Sequence, residues 1–476
     1  MVVNWRILAG AVLASAALSV QAGELGVLKP TGELRDAPRA SVKAPVVTRL
    51  SDGPLFATLQ AQAKTGTLAR MLELDEMAAK LSGSSGAVTW LYVAPEDGGF
   101  ARHGFWLREG EQLRWMDEPY LDLVTDEDSI ADGSFEETFA HELGHVFLRR
   151  LLPRLPPGYA RNAHHSHAIT DQPTAFDEGL ATAMQPYAKL ISTNPAVKAQ
   201  ETGLSWKAFT PLWQSNIDRE LRTVGVRGNW FVHRQVTPPG LGAPVERRDM
   251  STLFDRARFK SAPQMLANEG AVASFLYRYL ADGDSTERFN ALFRALSEMN
   301  KENLQADSPL LPMLAQKMAE VDKDESKRFI EVLMQSSHGI LASARFIRSA
   351  EALGQSGRFG NAKVFVPALK EARLELAQEI ARVIDAPEQL AKAAGAQLWV
   401  MKGKLSADLN TAETEHFEAL GFDRATSTRI LVARDKDGLF AHLDDVIHRA
   451  RLSPQAGRML KAMSAAAYKA GPFKRD

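Results

Sequence analysis

The spacing of apolar and polar positions divides the chain into unlike stretches. Ile7 to Val20 is an unbroken apolar run behind Arg6. Residues 23 to about 55 show no sustained period and carry Pro30, Pro38, Pro45 and Pro54 among polar residues, which reads as an extended arm. Leu55 to Leu81 has helical spacing. Four aromatic or β-branched runs follow, Val88–Val93, Gly104–Arg108, Gln112–Met116 and Tyr120–Thr125, each bounded by Gly, Asp or Pro, and these predict strands. From Ser134 onward the period is mostly helical. Phe139, Leu143, Val146 and Phe147 fall on one side of a helix that a Ser134/Glu137 capping box would start and Pro153 would end. Ala271 to Leu280 reads as a core helix. Thr237–Pro244 and the glycine-rich Gly354–Gly360 read as loops, and about 70 C-terminal residues form a separate short-helix unit. The expected fold class is α+β, mainly helical, with a small N-terminal mixed sheet, a helical C-terminal region and a helical tail. The expected segments are 1–22, 23–55, 56–185, 186–400 and 401–476.

The first apolar run is short of the roughly 20 residues needed to span a bilayer. It ends Ser19-Val20-Gln21-Ala22, with small residues where a signal peptidase reads. A secretory signal peptide cleaved after Ala22 follows, placing the protein in a periplasm or outside the cell. No later stretch is long and apolar enough to span. The 476 residues carry 57 basic and 58 acidic side chains, which gives no electrostatic case for a nucleic-acid binder. There is no cysteine. Disulfides, thiol catalysis and thiolate metal sites are excluded, so a metal must be held by His, Asp and Glu.

His141-Glu142-Leu143-Gly144-His145 is an H-E-x-x-H motif. Two histidines one helical turn apart present both imidazoles on one face, where they can share an ion. Glu142, beside them, can hold a metal-bound water. A catalytic zinc needs a third protein ligand and an open position. Leu148 and Leu151 stand where a third histidine pattern of the metzincin kind would need Gly and His. Downstream, Thr174 and Asp177 offer a cap for a second helix with Glu178 in its first turn, and Gly179 would let the two helices approach. Glu178 is then the third ligand. Glu269, in Asn268-Glu269-Gly270, is the rival. His164, His165 and His167 lie between the two motifs, as a second metal site, a lid contact, a partner of the ligands or a solvent loop.

The pair HELGH and FDEGLAT resembles the gluzincin, peptidase-MA-like zinc metallopeptidases over about residues 134–185. A weaker likeness runs to Leu280. The resemblance implies a zincin-like core over 56–185, one zinc ion per chain held by His141, His145 and Glu178, and Glu142 as general base. It implies a peptide or protein substrate lying along an edge strand, for which Tyr120–Thr125 is the candidate. A Tyr or His usually stabilises the oxyanion. The family's position for it is Ala267 here, which leaves His233, Tyr277 and Tyr279 as possible donors. Asp177 and Asp171 are the expected carboxylates behind the imidazoles, and Thr182 stands where thermolysin-like enzymes carry Asp.

Residues 405–462 resemble the helix-hairpin-helix domain of competence-type DNA receptors. In that family a G-x-G hairpin offers backbone N–H groups to a phosphate. Here the hairpins read Gly421-Phe422-Asp423 and Arg451-Leu452-Ser453, and residues 405–476 hold 11 basic and 10 acidic side chains. These departures argue against nucleic acid and for packing on the peptidase or a protein partner. The alternatives to an exported zinc metallopeptidase are a weak or inactive binding protein engaging DNA or a cell-envelope partner through its tail, and a zinc hydrolase of a non-peptide bond.

Overall fold

A computed structural model describes residues 23–38, 42–84, 86–160, 164–203, 222–235, 254–358 and 362–464. The expected signal segment and the Thr237–Pro244 loop lie outside the described residues. The fold is α+β and mainly helical. Five strands come first, interrupted by a helix pair: β1 (Leu25–Asp36), β2 (Lys43–Arg49), α1 (Pro54–Gln62), α2 (Gly66–Leu81), β3 (Thr89–Ala94), β4 (Phe100–Glu109) and β5 (Gln112–Val124). They close into a barrel in the order β1-β2-β4-β5-β3.

The expected extended arm is therefore corrected. Leu25–Asp36 and Lys43–Arg49 form two barrel strands, and Leu25, Val27, Leu28, Val46 and Val47 are buried. The prolines hid this. Pro30 pairs Val47 and Leu34 pairs Pro45, with the register shift between them, so both sit beside an irregularity that tolerates the missing donor. The single helix expected over 55–81 breaks in two at Thr65–Gly66, where Gly66 has φ +71°. The two strands expected at 112–116 and 120–125 are one continuous β5.

The candidate substrate edge also moves. Tyr120–Asp122 pairs on one side with Trp90–Tyr92 of β3 and on the other with Phe100–Arg102 of β4, so that stretch has no free side. The first half of β4 differs. Phe100–His103 pairs with β5, whereas the recorded pairing of β4 with β2 is at Trp106 and Leu107, beyond the irregularity at Gly104.

The helical part follows: α3 (Glu127–Asp132), α4 (Ser134–Leu151), α5 (Gln172–Ile191), α6 (Pro195–Gly203), α7 (222–228), α8 (Ala262–Leu266) and α9 (Glu269–Leu280). A two-stranded ribbon, β6 (His233–Gln235) with β7 (Phe254–Phe259), lies between α7 and α8 in the chain. Then come α10 (Ser285–Met299), α11 (Leu310–Val321), α12 (Lys323–Ser336), α13 (Arg345–Arg358), α14 (Ala362–Asp385) and α15 (Gln389–Ala394). Residues 354–358, expected in a loop, belong to α13. One large apolar core joins α2, α4, α5 and α9–α12, and a smaller one around Trp90, Phe105 and Tyr120 fills the barrel.

The tail opens with an unexpected hairpin, β8 (Trp399–Lys402) and β9 (Leu405–Asp408). Two helix pairs follow: α16 (Thr414–Leu420) with α17 (Arg424–Asp437), and α18 (Leu443–Arg449) with α19 (Pro454–Ala462). It has its own core, from Val400 to Met463. It also touches the rest of the molecule, since Gln264 Nε2 donates to the Thr411 carbonyl (3.1 Å) and to Glu413 Oε1 (2.5 Å).

Candidate metal centre

The site begins with how α4 is held. Its first turn has no side-chain cap, so the expected capping box at Ser134 does not form; Gly133 precedes the helix at φ +83°. Glu137 is drawn instead into a buried pair with Lys189 of α5 (2.5 Å), and Glu136 accepts from Thr67 of α2 (2.5 Å). At the other end Arg150 donates to Asp75 at 2.8 and 3.1 Å. Breaking such a buried pair costs about 3–5 kcal/mol, so α4 is fixed at both ends. Close packing is set by glycine. A Cβ on Gly144 would lie 2.7 Å from Ala181 Cα of α5, and one on Gly179 would lie 2.7 Å from Val272 Cβ of α9. Gly179 thus admits α9, and Gly144 is the residue that lets α4 meet α5.

This packing brings His141, His145 and Glu178 together. A ligand-type atom from each lies within 4.8 Å of the other two. Glu178 Oε2 is 3.8 Å from His141 Nε2 and 3.5 Å from His145 Nε2. Asp177 Oδ1 is 2.8 Å from His145 Nδ1, which turns Nε2 toward Glu178. His141 Nδ1 is buried without a hydrogen-bond partner. Two imidazole nitrogens and one carboxylate oxygen on rigid helices are the donor set of a tetrahedral zinc site with a corner left open, so the residues fit such an ion.

The electrostatics favour a cation there. Burial, then the charge of His145, holds the His141 imidazole well below its ordinary value. Burial also works against a charged His145, but Asp177, Glu178 and Glu142 outweigh it and raise that imidazole to about 10. Burial raises Glu142 and Glu178 above the usual carboxylate range, and His145 opposes this at both. Glu142 accepts a hydrogen bond from the backbone N–H of Ala101, in the half of β4 that has one strand partner.

Other expected residues sit elsewhere. Asp171 caps α5 by accepting from Thr174 N (2.7 Å) and also accepts from Ala160 N (2.5 Å), so it is an end-cap and the Thr174/Asp177 cap is corrected. Tyr279 donates its hydroxyl to Glu325 (2.9 Å) in the helical core. Tyr277 is half-buried against that core. His233 pairs with Phe259 in the ribbon, its ring 4.6 Å from the Phe259 ring, and burial pushes its imidazole down to about 4. None of the three possible oxyanion donors has a described contact with the His141, His145 and Glu178 group. His165 and His167 stack on each other, ring centroids 5.6 Å apart.

Two residues join the centre that were not placed there as a pair. His164 Nε2 lies 3.5 Å from Glu178 Oε1, and its Nδ1 lies 3.3 Å from Glu269 Oε2. Glu269, the rival ligand, is buried at the start of α9, and its other oxygen accepts from the Thr182 hydroxyl at 3.0 Å. The N-E-G signature was the only sign of Glu269 in the sequence. For His164 there was only its position between the motifs. No protein-family model, curated protein or solved structure matches the chain.

Proposed function

We propose that the chain is an exported zinc-dependent metallopeptidase of the gluzincin type, with His141, His145 and Glu178 as ligands and Glu142 as general base. The observation that carries this reading is the convergence of the three ligand atoms on one point, with Asp177 behind His145. Zinc, when bound, supplies Lewis acidity and a water acidified to a pKa of about 7. The rest is done by the chain's own groups. Asp177 holds the His145 tautomer that offers Nε2. Glu142, buried and steered by the Ala101 N–H, takes the proton of the attacking water on its carboxylate and returns it to the leaving nitrogen. The Phe100–His103 stretch, with a strand partner on one side only among the described residues, would give an extended peptide a ladder beside Glu142. That edge favours a peptide over other acyl substrates. Export rests on the 1–22 segment; among the described residues no helix is long and apolar enough to cross a membrane.

The test is a zinc count with hydrolysis of an unfolded protein, comparing wild type with Glu142→Gln. Both proteins should hold zinc, and the variant should lose activity at least a hundredfold. Equal activity of the two, or a wild type that binds no zinc, overturns the reading.

A further inference from the structure

Glu178 has two oxygens, and each faces a different set of ligands. Oε2 faces His141 and His145, whereas Oε1 faces His164. His164, Glu178 and Glu269 form a second group whose ligand-type atoms all lie within 4.8 Å of one another. His164 stands between two carboxylates, its Nε2 3.5 Å from Glu178 Oε1 and its Nδ1 3.3 Å from Glu269 Oε2.

The surroundings of Glu269 point the same way. Glu269 is 2% exposed, and its described partners are the Thr182 hydroxyl and His164; among the described residues no lysine or arginine reaches it. A buried carboxylate without a cation is costly. A cation shared by His164, Glu178 and Glu269 would meet that need.

We infer that the chain holds a second divalent cation on His164, Glu178 Oε1 and Glu269, with Glu178 bridging it to the first. One nitrogen and two carboxylate oxygens suit an ion of the Zn2+ or Mn2+ kind. A carboxylate bridge sets two ions about 3.5–4 Å apart. The second site goes beyond the proposed hydrolysis and shares only Glu178 with it. A second positive charge beside the reaction point would also do the work of an oxyanion donor, for which His233, Tyr277 and Tyr279 have no described contact.

The experiment is a metal count on the chain from residue 23, stripped with chelator and dialysed against Zn2+ or Mn2+, with circular dichroism as the folding control. Wild type should hold two ions of at least one of these metals. His164→Ala and Glu269→Gln should each hold one, and His141→Ala should also hold one, retained at the second site. The second affinity should fall at least tenfold in Glu269→Gln. His164 is half-exposed, so its variant tests the site even where the change at the buried Glu269 disturbs folding. A wild type with a single ion, whichever variant releases it, overturns the second site; if that ion is zinc lost in His141→Ala, the proposed hydrolysis stands. Two ions kept in both His164→Ala and Glu269→Gln overturn the second site as well. A wild type that holds no ion overturns both readings.

Discussion

In the tail, buried polar groups are spent on the tail's own backbone. Arg434 donates to the carbonyls of Leu409 and Ala412, and Asn410 bonds Ala396 and Phe440. Asp408 accepts from Leu398 N and Asn410 N, and Asp423 caps α17 by accepting from Thr426 N. In the α4, α5 and α9 cluster the buried groups face one another, with imidazole nitrogens and carboxylate oxygens 3.3 to 3.8 Å apart. The first arrangement pairs these groups with backbone and fixes a shape. The second sets imidazoles and carboxylates against one another, and the proposed cations would satisfy them. Two regions with similar residue types thus differ in whether their polar atoms are already used.

The sharpest way to break this contrast is Glu178→Ala. It removes the carboxylate both groups share, so the chain should lose its metal and at least a thousandfold in hydrolysis, read by metal count and peptide cleavage. Retention of metal would mean that the facing groups are satisfied without it.

The next largest effect lies in the tail and depends on pH. Burial raises Asp408 to about 6, while its backbone donors and Arg434 oppose the rise. A folded value above the unfolded one, near 3.9, means the group's contribution is full below pH 4 and is lost as pH rises through 6. That difference is worth roughly 3 kcal/mol. Asp408→Asn keeps an acceptor for Leu398 N. It should match wild type near pH 4 and exceed it by up to about 3 kcal/mol at pH 7, in denaturant melts followed by Trp399 fluorescence. A difference that does not change with pH would show that Asp408 stays charged in the folded tail.

Asp177→Asn follows. It keeps the shape but lets an amide face His145 Nδ1, so metal affinity should fall ten- to a hundredfold, about 1.4–2.7 kcal/mol, by chelator competition. An unchanged affinity would make that 2.8 Å contact structural only.

How far the sequence could be read follows from which contacts are local. His141 and His145 share a face because they are four residues apart on a periodic helix, and Asp177 was legible as the neighbour of Glu178. The barrel was not, because its closure depends on Leu25–Leu28 meeting Thr89–Tyr92, pairs about 64 residues apart in the chain. Prolines at 30 and 45 masked the strands that make it. The His164–Glu269 contact spans 105 residues and joins a loop to a helix start, with no period to betray it. Asp171 was misread because a carboxylate near a site and a carboxylate at a helix N-terminus look alike in sequence.

The smallest effect tests the tail's hairpin. In a phosphate-binding hairpin the free N–H groups at the start of the second helix meet the ligand. At α17 the Asp423 carboxylate already accepts the Thr426 N–H (2.7 Å), and those hydrogen bonds hold its own carboxyl below the usual range. Asp423→Ala should lower the melting temperature slightly as a lost cap, seen in a thermal melt of the full chain. It should not create DNA binding, because opening one N-terminus supplies no basic stripe; residues 405–476 remain nearly balanced. A DNA mobility shift that appears in the variant and weakens steeply with salt would show that one carboxylate was all that kept a phosphate out. The tail would then have spent its polar groups less completely than its hydrogen bonds imply.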